Sequence, residues 1–196
     1  MKTNNKTYHM SILALFIAIV IVQNFVPLFG YIPVGPLSIT TIHITVIVAA
    51  LVLGWKDGAF VGGVWGLITF IRAFVSPTSP IAPIVFTNPI VSIVPRILIG
   101  IVTAVVFYFI YKWWKNKTLA MIIASVLGSL VNTVLVLGLI YLLYHGQAAN
   151  FYKVDMGQLL PYIMGLVVTN GVPEMILAGV VAPLIAAPLQ KLVRKG

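Results

Sequence analysis

Acidic residues are nearly missing from this chain. Asp57, Asp155 and Glu174 are the only three among 196. With no carboxylate pair and no H-x-x-x-H, the sequence offers no metal site. One acid within the apolar runs is thin equipment for a proton or sodium relay. Cysteine is absent, so disulfides and thiolate metal ligands are excluded. No G-x-x-x-x-G-K-[ST] is present, so ATP is not bound through a P-loop. No nucleophile constellation is found, and no cofactor is implied. Charge of either sign is scarce, at 8% of residues. That scarcity, beside 61% hydrophobic residues and a mean hydropathy of +1.11, excludes a soluble globular domain.

What remains is apolar, basic and broken by proline. The net charge of +9 suggests nucleic acid, but its distribution argues otherwise. The cations stand at the ends of apolar runs, as they do at membrane surfaces. The length suits about six spans of ~20 residues. The predicted helices run from about Met10 to Pro27, Ile42 to Leu53, Ala59 to Val75, Asn88 or Pro89 to Lys112, and Leu119 to Tyr144. A sixth spans about Pro161 to Leu189. Gly54, Lys56, Asp57 and Gly58 read as a tight turn. The first stretch is too long for a signal peptide and lacks a cleavage pattern, so it is expected as a mature helix.

Lys2, Lys6, Lys56, Lys112, Lys115, Lys117, Lys191, Arg194 and Lys195 all fall on one side of such a bundle. The other side has Lys153, and Arg72 if it snorkels. The positive-inside bias therefore predicts an all-α integral membrane protein: one six-helix domain over 1–196, with both termini cytoplasmic. Two uncharged, proline-broken segments, about 25–41 and 76–88, then face outward. His145 to Leu159 is expected as an outer loop.

Several small and polar residues stand out. Ala14 and Ala18 put two low-profile side chains on one face of the first helix, where another helix can approach. Gly58, Gly62 and Gly66 make a smooth stripe that reads as tight packing. Trp65 and Thr69 share another face and are candidates for lining a pocket. Three charges lie at membrane depth: Arg72, Arg96 and Glu174. A buried carboxylate there costs about 2.5 kcal/mol or more unless it faces a cavity, a partner or a ligand. Asn170 lies one turn before Glu174 on the same face. Pro173 between them removes a backbone donor and loosens the preceding turn. If one arginine pairs with Glu174, the other guanidinium is left over, and a monoanionic ligand would satisfy it. Asn88, Asn132 and Asn170 add amide donors and acceptors for a ligand carrying amide and hydroxyl groups. A purely structural Arg–Glu pair is the competing reading.

These features together resemble the substrate-binding S components of energy-coupling factor (ECF) vitamin transporters. The resemblance covers nearly the whole chain. It rests on six helices in 196 residues, on Ala14 and Ala18, and on AALVLGWKDGAFVGGVWGL (Ala49 to Leu67). It rests also on VPRILIG (Val94 to Gly100) and NGVPEMILAGVVAPLI (Asn170 to Ile185). The overall pattern is most similar to pantothenate S components, with folate or riboflavin as the alternative ligand.

The resemblance implies a vitamin-binding subunit of an ABC importer in a prokaryotic plasma membrane. It makes no covalent chemistry of its own. ATP hydrolysis would belong to two cytoplasmic ATPases, joined through a membrane coupling subunit, the T component. Ala14 and Ala18 would dock that subunit. The segments 25–41 and 76–88 would form the outer gate. Arg96, Asn132, Asn170 and Glu174 would lie in the pocket, with Asn88, Trp65 and Arg72 as further candidates. A membrane scaffold or an intramembrane enzyme is the reading outside this family. The scaffold would not need those polar residues, and the enzyme would need a nucleophile that is not there.

Overall fold

The computed structural model describes residues 2–26, 29–34, 37–79 and 81–193. Pro27, Gly35, Pro36 and Pro80 of the proline-broken segments, and the terminal cations Arg194 and Lys195, lie outside the described residues.

Helix α1 (Lys2–Phe25) begins well before the apolar stretch, because hydropathy marks a membrane edge and not a helix end. The segment after it is not a plain loop. Tyr31–Val34 (β1) and Leu37–Thr40 (β2) pair antiparallel as a small hairpin, with Tyr31 opposite Thr40. Helix α2 (Ile42–Leu53) follows with the expected bounds. Gly54, at φ 100°, makes the turn alone. Helix α3 (Trp55–Val75) therefore starts earlier than expected, and Lys56 to Gly58 form its first turn.

Proline dictates the next region. Two single turns, α4 (Ala82–Val85) and α5 (Pro89–Ser92), precede α6 (Val94–Trp114). Pro83, Pro89 and Pro95 each stand at the first or second position of a helix, where a missing amide hydrogen costs nothing. Helix α7 (Lys117–Tyr152) does not stop at Tyr144. It bends there, at φ −126°, and continues for two more turns, so the expected outer loop is much shorter. The last segment comprises α8 (Leu159–Leu166), a π-helical turn (Val167–Gly171) and α9 (Val172–Val193). The π turn ends two residues before Pro173, in the turn that proline was expected to loosen.

Among the described residues, five helices are long and apolar enough to cross a membrane. The exception is α2, whose 12 residues rise only about 18 Å against a hydrocarbon core of about 30 Å. It sits inside the bundle, against α1, α3, α6, α7 and α9, and nearly every residue of it is buried. Leu15, Phe74, Tyr108, Leu142, Ile176 and Leu184 point outward from the surrounding helices. So wide an apolar exterior is stable in lipid and not in water.

The glycine stripe packs α3 against α6. A Cβ on Gly62 would overlap the main-chain carbonyl of Arg96, and one on Gly66 would meet Ile93 and Ser92. From the other side, Gly100 abuts the backbone of Gly58. Contact this close between backbones fixes where the first turn of α6 sits. It also brings the fully buried Trp65 beside Arg96.

Candidate substrate-binding site

A cavity lies at the end of the bundle where the hairpin, α4 and the start of α6 meet the far halves of α7 and α8–α9. It measures about 110 Å³, counted as space for the centres of water-sized spheres. That is room for several waters or a small organic molecule. Arg96, Asn132, Asn170 and Glu174 all line it, drawn together from three helices. Ile81, Val136, Leu137 and Ile140 supply an apolar wall.

Arg96 is buried and sandwiched. Its guanidinium carbon stands 5.1 Å from the ring centres of both Trp65 and Phe86. Nη1 donates to the carbonyl of Val91 at 2.9 Å, while Nε has no partner among the described residues. No ion pair joins the buried Arg96 or the half-buried Arg72 to Glu174 among the described residues, where His9 to Asp57 is the ion pair that forms. The reason is that each partner is already committed. Glu174 Oε1 accepts the backbone amide of Thr40 at 2.6 Å, across 134 positions of sequence. The aromatic faces and the Val91 carbonyl hold the guanidinium. The cation and the carboxylate thus line the same cavity without a direct ion pair between them among the described residues.

Further polar atoms in the cavity wall are left over. Asn132 Oδ1 and Thr40 Oγ1 are buried and have no hydrogen-bond partner among the described residues. Buried polar groups are nearly always paired, yet three residues of this lining, Arg96, Asn132 and Thr40, each keep one unpaired atom among the described residues. Asn170 Nδ2 reaches only Thr169 Oγ1, at 3.3 Å. The π turn carries it into the lining beside Thr133, whose side chain crowds Gly171.

Of the remaining sequence candidates, Thr69 lines the cavity, whereas Trp65, Asn88 and Arg72 stand outside the lining. Trp65 is behind Arg96, and its Nε1 donates to Tyr31 Oη at 3.3 Å. Asn88 caps α5, accepting the amide of Ile90 at 2.9 Å. Arg72 turns toward α1, donating to the carbonyl of Asn24 and stacking over Phe25 and Tyr31. Tyr31, Thr40, Phe86 and Thr133 line the cavity without having been singled out. Tyr31 stood alone as a polar aromatic in an uncharged segment, which was the available signal. Ala14 and Ala18 are exposed on α1 and do not pack within the chain.

A family model described as ECF transporter, substrate-specific component, matches residues 9–186. The chain belongs to this family. It is 37% identical over 183 residues to a protein of Leuconostoc mesenteroides named pantothenate transporter PanT. That match covers 89% of this chain and 88% of the relative. A pantothenic acid transporter PanT of Lactococcus lactis subsp. cremoris is 36% identical over 201 residues, covering 95% and 96% of the two chains. The crystal structure of an S component for biotin from an ECF-type ABC transporter superposes with a TM-score of 0.55. It covers 95% of each chain at 14% identity, a level at which the likeness speaks for the fold alone. The family is one of transporter subunits, not enzymes. The six expected membrane helices thus become five long apolar helices around a short buried one, in an S-component fold.

Proposed function

We propose that this S component binds pantothenate with high affinity and serves an ECF-type importer in a prokaryotic plasma membrane. The observation that carries the reading is the Arg96 guanidinium, without a direct ion pair among the described residues and held between Trp65 and Phe86 at a cavity that Asn132, Asn170 and Glu174 also line. Pantothenate has one carboxylate, one amide, two hydroxyls and a gem-dimethyl group. Arg96 takes the carboxylate, whose two oxygens suit a guanidinium edge. Asn132 and Asn170 serve the amide and hydroxyls, and Glu174 accepts from a hydroxyl. The dimethyl carbon lies against Leu137 and Ile140. The two relatives named for pantothenate, each over a third identical along most of their length, support this ligand.

The membrane arrangement belongs to the same proposal. Counting α2 as the sixth crossing is reasonable, because protein and not lipid surrounds it, so its length need not match the bilayer. Both termini are then cytoplasmic by the positive-inside bias, and the cavity opens outward beneath the segments 25–41 and 76–88. The exposed Ala14 and Ala18 dock a T component, and two partner ATPases hydrolyse the ATP.

Isothermal titration of pantothenate into the purified, detergent-solubilised chain tests the ligand. One-to-one saturable binding, undisplaced by folate or riboflavin, is expected. No heat from a folded protein that binds another vitamin would remove pantothenate and keep the family.

A further inference from the structure

The hairpin that covers the cavity is held at both ends, and only one end is held by a cavity residue. At the β2 end, the Thr40 amide is bonded to Glu174. At the β1 end, Tyr31, itself a lining residue, is held by Asn24, Trp65 and Arg72, which stand outside the lining. Its hydroxyl donates to Asn24 Oδ1 at 3.2 Å and accepts from Trp65 Nε1 at 3.3 Å. Asn24 is buried, and its amide nitrogen donates to the Val20 carbonyl at 2.8 Å, so α1 fixes it. Arg72 closes the cluster. It donates to the Asn24 carbonyl, and its guanidinium carbon lies 5.6 Å from the ring centres of Tyr31 and Phe25. No carboxylate pairs with it among the described residues. A cation at this depth is expensive unless it faces partners, yet Arg72 does not line the cavity. Its described partners are a carbonyl and two aromatic faces, all on α1 or the hairpin.

We propose that Arg72 is a positioning residue. It pins Tyr31, and with it the β1–β2 hairpin, over the cavity, and so slows release of the occupant without touching it. Trp65 links this cluster to the site, since one face of its ring carries Arg96 while its Nε1 holds Tyr31. The effect on release rests on the reading that the cavity binds a vitamin. The pinning of the hairpin does not.

The test uses the full chain in detergent or nanodiscs, with Arg72→Gln and Arg72→Lys. Hydrogen exchange of the amides over 29–41 is measured without ligand, and dissociation of radiolabelled pantothenate is measured beside it. Arg72→Gln should speed exchange in the hairpin severalfold to about tenfold, as loss of the cation–π contact with Tyr31 allows. Pantothenate release should accelerate by a similar factor, with the association rate little changed. Arg72→Lys, which keeps the charge over the rings and a donor toward Asn24, should restore much of both. Unchanged hairpin exchange in Arg72→Gln overturns the proposal. So does faster exchange spread evenly over the bundle, which would mark a merely structural arginine. Faster hairpin exchange with unchanged release refutes the link to the occupant. If the wild-type chain does not bind pantothenate, the ligand assignment fails and the exchange measurement still decides whether Arg72 pins the hairpin.

Discussion

Replacing Arg96 by methionine separates binding from folding, because the two effects have different sources. For folding, the variant loses the hydrogen bond from Nη1 to the Val91 carbonyl, worth about 1–3 kcal/mol. It also loses two cation–π contacts, worth about 0.5–2 kcal/mol. Against these stands the desolvation of a guanidinium with no direct ion pair among the described residues, a cost of several kcal/mol that methionine removes. The terms cancel to within about 2 kcal/mol, and the flexible thioether fits between the same two rings. For binding there is no such offset. A pantothenate carboxylate brought into the cavity would lose its cation and remain desolvated. Truncating one partner of a buried charged pair costs about 2–5 kcal/mol. The dissociation constant should therefore rise at least roughly 30-fold, and over a thousandfold at the upper end. Titration calorimetry gives the affinity, and a thermal melt of the ligand-free variant in the same detergent gives stability. Arg96→Met that melts as the wild type does and binds pantothenate with unchanged affinity would refute the assignment. A variant that melts far below the wild type would refute the cancellation.

Two further outcomes follow from the packing and the exposed face of α1. Gly62→Ala should destabilise the chain by about 1–3 kcal/mol, because its Cβ would overlap the Arg96 carbonyl between two backbones that have no room to part. Gly63→Ala, whose Cβ would meet only the Ile97 side chain at 3.6 Å, is the matched control and should melt close to the wild type. Ala14→Trp with Ala18→Trp should leave pantothenate binding by the isolated chain intact, since both positions are exposed and far from the cavity wall. The same pair should abolish co-purification with the T component; retained assembly would move the docking surface elsewhere.

How far the sequence reached depends on the range of the interaction concerned. Apolar length and proline position are local, and they set α2 at Ile42–Leu53 and the end of α3 at Val75. A glycine every four residues announces a close helix contact before its partner is known, and α6 proves to be that partner. Four polar residues in apolar helices were legible because lipid makes each of them costly, and they do converge. What escaped is long-range or backbone-mediated. The carboxylate of Glu174 is taken by a main-chain amide, which no residue pattern encodes. Arg96 is held by ring faces from α3 and from the turn after α4, so the expected arginine–glutamate pair does not form. The hairpin is hidden in a segment whose prolines and glycines read as a break in the helix and an outer gate, with no strand pairing in view. Helix α7 outran its expected end because Tyr144 bends the helix without ending it, and composition alone does not distinguish a bend from a stop.

Glu174 offers the sharpest separation between charge and shape. Its Oε1 accepts the Thr40 amide, and a glutamine Oε1 can accept the same bond with the same geometry. Glu174→Gln should therefore keep the β2 end of the hairpin in place. The second oxygen becomes an amide donor, and a ligand hydroxyl can rotate to accept from it, because a hydroxyl both donates and accepts. The electrostatic change favours the anion. With Arg96 alone charged at the wall, a monoanionic ligand brings the site to neutrality, whereas an ionised Glu174 would leave one excess negative charge in a dry cavity. If Glu174 is instead protonated, glutamine is nearly its isostere and little changes. On either account Glu174→Gln binds pantothenate at least as tightly as the wild type. Glu174→Ala, which releases the Thr40 amide and leaves it buried without its acceptor, weakens binding roughly tenfold or more. Should Glu174→Gln lose affinity as severely as Glu174→Ala, the carboxylate charge itself would be needed. The ligand hydroxyl would then be donating to the carboxylate in a charge-assisted bond that the glutamine cannot replace.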